Sequence, residues 1–134
     1  MSTFPPLTHV ALTVRDLSVS VPWYEALLDA KPAIDEDTVG NFHHTVYLIG
    51  NNTLLGLHQH TDPAPDETFS EFRVGLDHVA FRCVDRAAVE EWANHLDGVG
   101  VEHSGLKDVP YGTVLTFRDP DNIQLEFYSV PPGA

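Results

Sequence analysis

One local pattern occurs twice in this chain. Leu7-Thr8-His9-Val10-Ala11 near the start returns as Leu76-Asp77-His78-Val79-Ala80 in the second half. Each copy opens an alternating run, and each run leads into an amphipathic helical stretch, so the chain reads as two like modules in tandem. The repeat constrains the fold more than composition does, because both halves must build the same order of elements. It also sets one histidine at the same point of each half, which is how a pseudo-two-fold protein would build a shared metal site.

In the first half, Thr8 to Val14 alternates, with Val10, Leu12 and Val14 on one face and His9, Ala11 and Thr13 on the other. Asp16 and Ser18 offer N-cap oxygens for a helix over about Val19 to Leu28, with Pro22 in or just beyond its first turn and Trp23, Leu27 and Leu28 as its buried stripe. Strands follow at His43–Ile49 and Thr53–His58, joined by a Gly50-Asn51-Asn52 turn. In the second half, His78 to Val84 alternates, and Asp85 caps a helix with Val89, Trp92, Ala93 and Leu96 on one stripe, stopped by Gly98 and Gly100. A strand at Gly112–Arg118, a tight Asp119-Pro120-Asp121-Asn122 turn and a strand at Ile123–Tyr128 complete it. Each half is strand–helix followed by two or three strands. The polar, Pro-containing segment 61–75 reads as a linker between module 7–60 and module 76–129, and the 134 residues are one domain's worth of core or two half-domains sharing one.

Charge and composition exclude several functions. Seven scattered Lys and Arg against 20 acidic residues, a net charge of −13, make no phosphate-binding patch, so nucleic acid is not an expected partner. Apolar runs are far too short to span a membrane and no signal segment opens the chain, which sets the cytoplasm as the expected location. The single cysteine, Cys83, sits on the apolar parity of its strand and is expected to be a buried, inert thiol.

Strand parity singles out the chemistry. In the last strand, Ile123, Leu125 and Phe127 share the face that must meet the helices, so Glu126 points the other way, as His9 and His78 do in theirs. If the two half-sheets curve toward each other, two imidazoles and a carboxylate meet in one cleft as a 2-His-1-carboxylate set, which leaves positions open on a first-row metal. Each residue alone reads first as a satisfied polar group on a half-exposed strand; it is the repeat that turns the reading toward a metal site. Aligning the closing turns sets Gly56 opposite Glu126, so the first half lacks the equivalent carboxylate. His58, two residues on with the same parity, is a fourth ligand, an acid–base group or a solvated strand-end residue. Tyr111, where a loop enters the penultimate strand, is either a rim donor to an oxygen held by the metal or a packing residue. His60, His43, His44, His95 and His103 read as surface or strand residues, and Trp23 and Trp92 as core.

These motifs resemble the vicinal oxygen chelate superfamily, which includes glyoxalase I, fosfomycin-resistance proteins, extradiol dioxygenases and bleomycin-binding proteins. The resemblance covers about Leu7 to Tyr128 and rests on Thr8-His9-Val10-Ala11-Leu12, Asp77-His78-Val79-Ala80-Phe81 and the closing stretch from Phe117 to Phe127. It implies an α+β fold of two tandem βαβββ modules, forming a curved mixed sheet around a metal-binding cleft. It further implies one divalent ion (iron, nickel, zinc, cobalt or manganese) held by His9, His78 and Glu126, a small-molecule substrate chelated through vicinal oxygens, and a homodimer. Glyoxalase I enzymes carry a fourth ligand, a glutamate, where this chain has Gly56, whereas extradiol enzymes place an acid–base histidine roughly where His58 lies. Isomerase or lyase chemistry and ring-cleaving oxygenation therefore both stay open. The rival from another class is a metal-independent binder of a drug or aromatic compound, with Phe42, Tyr47, Tyr111 and Tyr128 lining its cleft. Specificity in either case is expected to lie in the loops 35–44 and 107–112.

Overall fold

The computed structural model describes residues 3–61 and 68–134; most of the early part of the expected linker, residues 62–67, lies outside them. The chain forms two compact units, residues 1–67 and 68–134.

The first unit runs β1 (His9–Thr13), α1 (Leu17–Leu28), β2 (Ile34–Asp37), β3 (Phe42–Ile49) and β4 (Thr53–His60). Its four-stranded sheet has the order β1-β4-β3-β2, with β1 parallel to β4 and the other pairs antiparallel. The parallel pair follows from the crossover, because α1 lies between β1 and the rest of the sheet in sequence. Asp16 caps α1, its carboxylate accepting from the Ser18 backbone N–H at 2.9 Å. The helix thus starts two residues earlier than the sequence suggests, and Pro22 falls inside it on an exposed position. The buried stripe is Ser20, Tyr24 and Leu27. Trp23 and Leu28, expected there, are only half-buried; Tyr24 takes the central place and Trp23 packs edge-on against it at 4.9 Å.

Strand β2 was not legible in the sequence, where it fell in a loop beginning at Asp35. All four of its residues are exposed, so no apolar alternation marks it. It is held instead by charge, as edge strands often are. The His43 imidazole sits between Asp35, at 2.5 Å from Nε2, and Asp37, at 2.8 Å from Nδ1. A ring bonded to carboxylates through both nitrogens is an imidazolium. Accordingly, His43 is pushed up by these two carboxylates, and the Asp35 carboxyl is pulled below its ordinary value by His43.

The second unit repeats the order: β5 (Val79–Arg82), α2 (Arg86–Gly98), β6 (Lys107–Val109), β7 (Gly112–Arg118) and β8 (Gln124–Ser129). Its sheet is β5-β8-β7-β6, again with one parallel pair, β5 with β8. Both units are therefore mixed βαβββ sheets, the α+β arrangement the repeat implies. Asp85 caps α2 through the Ala88 N–H at 2.9 Å, and Val89, Ala93 and Leu96 are buried. Trp92 is half-buried but stacks on Phe127 at 4.9 Å, which fixes the helix-facing side of β8. Cys83 is buried, and burial pushes its thiol up, as expected of an inert core residue. Gly112, at φ 148°, lets the β6–β7 hairpin lie on β8: a Cβ there would stand 2.1 Å from the Ser129 carbonyl oxygen. Among the described residues, no helix is long and apolar enough to cross a membrane.

Candidate functional site

The side chains that strand parity singles out do occupy the sheet faces opposite the helices. In the second unit, Leu125 and Phe127 are buried toward α2 while Glu126, between them, is only half-buried. Its neighbour in the parallel ladder is Ala80, small enough to leave the carboxylate uncovered. His78, just before β5, brings its Nε2 to 3.5 Å from Glu126 Oε2. On the other side of the ring, Asp77 Oδ1 lies 2.6 Å from His78 Nδ1. With Nδ1 against Asp77, the ring turns its Nε2 edge toward Glu126.

The donor set fits a metal. Two donors each about 2.1 Å from one ion, at a tetrahedral angle, stand about 3.4 Å apart, close to the separation of this N and O pair. Among the described residues, no three or more His, Cys, Asp or Glu side chains gather as a group that could hold a metal, and the second unit by itself holds this pair. His9 opens β1 of the first unit, the strand position matching His78, and is exposed.

The first unit carries a histidine-rich face where the second carries its carboxylate. Gly56 pairs with Ala11 as Glu126 pairs with Ala80. The space above Gly56 is taken by His58, whose Nε2 would be 3.4 Å from a Cβ built on the glycine. The imidazole thus lies over the glycine, in van der Waals contact with the place a Cβ would take. It stacks on Phe42 at 4.5 Å and meets His44 edge-on at 5.6 Å, while His60 lies 6.4 Å away. His44 in turn lies 3.3 Å from Glu36 on β2. Burial, followed by the repulsion of His44, His60 and His9, pulls His58 below its ordinary value, so the ring stays neutral at neutral pH.

His44 and Phe42 are therefore part of this face, although no spacing in the sequence marks His44. The cross-strand register, Phe42 opposite His60 and His44 opposite His58, brings them there. His60, read as a surface residue, is exposed and approaches the Thr13 hydroxyl at 3.4 Å. His43 instead braces β2 and lines a groove of about 610 Å³ with Leu17, Asp37, Phe42, Gln59 and His60. In the second unit, His103 bonds Asp97 at 2.8 Å, and His95 packs edge-on against Trp92 at 5.2 Å. Tyr111 is exposed at the tip of the β6–β7 hairpin, and its carbonyl accepts from the Tyr128 hydroxyl. Tyr47 is fully buried in the first unit's core and so cannot line the open cleft that a metal-independent binder would need.

Paired βαβββ sheets, each opened by a His-Val-Ala strand and closed in the second unit by a carboxylate facing that histidine, define a class of protein. The chain belongs to the glyoxalase/bleomycin resistance protein/dioxygenase superfamily, whose family model matches residues 7–127. It is 27% identical over 125 residues to a metallothiol transferase, FosB, of Staphylococcus saprophyticus, an alignment spanning 92% of this chain and 76% of that protein. Among solved structures, the glyoxylase/bleomycin resistance protein/dioxygenase domain from Frankia sp. EAN1pec superposes with a TM-score of 0.87 at 29% identity, covering 98% of this chain and 96% of that one. The fosfomycin resistance protein FosX from Mesorhizobium loti shares the fold at a TM-score of 0.66 and 22% identity, over 94% of this chain and 92% of that one.

Proposed function

We propose that the chain is a divalent-metal-dependent enzyme of the glyoxalase/dioxygenase type, acting on a small substrate held through two adjacent oxygens. His9, His78 and Glu126 hold the ion in this reading, with the two modules working as one functional domain. The observation that carries it is the 3.5 Å approach of His78 Nε2 to Glu126 Oε2, with Asp77 behind the ring. When bound, a divalent ion would supply Lewis-acid stabilisation of oxyanion charge developing on the substrate.

The chain's own groups do the rest. His58, neutral because of burial and its histidine neighbours, accepts a proton from the reacting group and returns it. Phe42 and His44 fix the plane of that ring, and Tyr111 at the exposed hairpin tip donates to the substrate from the rim. Among reactions of this type, the relatives named metallothiol transferase favour addition of a thiol to a small electrophile, a step that releases the proton His58 would take. The assembly in this reading is a homodimer.

Metal analysis of protein purified without chelator tests the proposal. The expected result is about one equivalent of a divalent first-row metal per chain, lost in His9→Ala, His78→Ala and Glu126→Gln. Retention of the parent's metal content by the two histidine variants would overturn the ligand assignment. Ligand binding indifferent to EDTA, with no turnover, would instead support a metal-independent binder.

A further inference from the structure

Behind Glu126 runs a chain of hydrogen bonds that ends in a buttress from outside the sheet. Gln124, two residues earlier on the same face of β8, directs its amide nitrogen to Glu126 Oε1 at 3.3 Å. The Gln124 carbonyl oxygen accepts from Arg118 Nη2 at 3.0 Å. Arg118 makes a two-pronged ion pair with Glu71, at 2.9 and 3.2 Å, and also donates to the Asn122 carbonyl at 3.1 Å.

Glu71 reaches this place because its segment is pinned to the closing hairpin. The Phe69 N–H donates to the Asp121 carbonyl at 2.9 Å, and Asn122 Nδ2 donates to the Phe69 carbonyl at 3.0 Å. The hairpin turn is itself rigid, with buried Asp119 accepting from the N–H groups of Asp121 and Ile123, both at 2.8 Å. The end of the hydrogen-bond chain remote from Glu126 is thereby anchored.

The polarity of the chain is forced. A guanidinium only donates, so Gln124 must turn its oxygen to Arg118 and its NH2 to Glu126. That amide occupies Oε1 and leaves Oε2 as the oxygen facing His78. Glu126 alone disfavours the flipped amide, in which two oxygens would face each other, and Arg118 adds the second tether that fixes where the amide stands. We propose that Arg118 is a positioning residue for the Glu126 carboxylate, acting through Gln124 and held in place by Glu71. The inference rests on Glu126 being a metal ligand, as proposed above.

Titration of the 134-residue chain with Co²⁺, followed by its visible absorption and by calorimetry, tests this. Gln124→Leu keeps the Arg118–Glu71 pair and so leaves the hairpin buttress in place, whereas Arg118→Met removes both. Each is expected to weaken Co²⁺ binding by roughly tenfold to a hundredfold, the usual effect of losing a partner behind a ligand, and to alter the absorption band. The double variant should be no weaker than the worse single, because both act along one chain. Parent-like affinity and spectrum in folded Gln124→Leu would overturn the inference while leaving the ligand assignment standing. Absence of a stoichiometric Co²⁺ site in the parent would overturn the ligand assignment, and the inference with it.

Discussion

Tyr47 offers the sharpest test of how the first unit is built. Its side chain is fully buried between the sheet and α1, yet its hydroxyl has no hydrogen-bond partner among the described residues. Burial, reinforced by the charges of Glu25 and Asp35, pushes the phenol up to about 12. A buried polar atom left unpaired costs roughly 1–3 kcal/mol, whereas its removal from a site that keeps its shape costs little. Tyr47→Phe deletes that one atom and preserves the ring, so it should stabilise the protein by about 1–3 kcal/mol. With an unfolding entropy near 2 cal/mol/K per residue, a chain of this size gains roughly 4 °C in Tm per kcal/mol. The expected rise is therefore about 4–11 °C by thermal denaturation at neutral pH. A second arm uses pH. Because the folded-state value is raised, ionisation of the tyrosine favours the unfolded chain, so stability present below the ordinary value of 10.0 is lost as pH climbs through about 12. The parent should lose that stability over this window, and the Phe variant should not. Metal and ligand binding should be unchanged, since the residue faces the helix. An unchanged or lower Tm would refute the reasoning and show that the hydroxyl is satisfied in solution.

Two glycines should behave in opposite ways. Gly112→Ala places a methyl on the Ser129 carbonyl at a φ that alanine resists, and should cost roughly 3 kcal/mol or more in chemical denaturation. At Gly56 an added Cβ meets only ordinary contacts, 3.4 Å to His58 and 3.8 Å to Ala11, so Gly56→Ala should change stability by less than about 1 kcal/mol. The His43 clamp makes a pH prediction. Its folded-state value is raised, so its contribution is present below the ordinary 6.5 and lost as pH rises through the folded value; the depressed Asp35 partner limits it at the acidic end, where that carboxylate is protonated. The Tm difference between parent and His43→Gln should be largest at mildly acidic pH and close above neutrality, and a gap that widens with pH would count against the clamp.

Local patterns were readable wherever one face of an element is apolar. The alternation of β1, β5, β7 and β8, the capping residues Asp16 and Asp85, and the turns at 50–52 and 119–122 all carry signals that depend only on neighbours in sequence. So does the placement of His9, His78 and Glu126 on the faces away from the helices. The acidic edge strand β2 was not readable, because charge pairing across a sheet has no period of its own. Of the stripe read on α1, Leu27 is buried as expected, but Trp23 is only half-buried: Trp23 and Tyr24 are adjacent on a short helix, and only the sheet beneath α1 selects Tyr24.

The repeat by itself determined the architecture, since two copies of one element order can only build two copies of one module. It also determined which strand faces bear histidine and carboxylate, because side chains alternate strictly along a strand. What only the tertiary structure decided is how those groups are supported. Register brings Phe42 and His44 to His58 and lays that ring over Gly56, and a segment far away in sequence delivers Glu71 to Arg118. Such support depends on distances between elements, and no spacing along the chain encodes them.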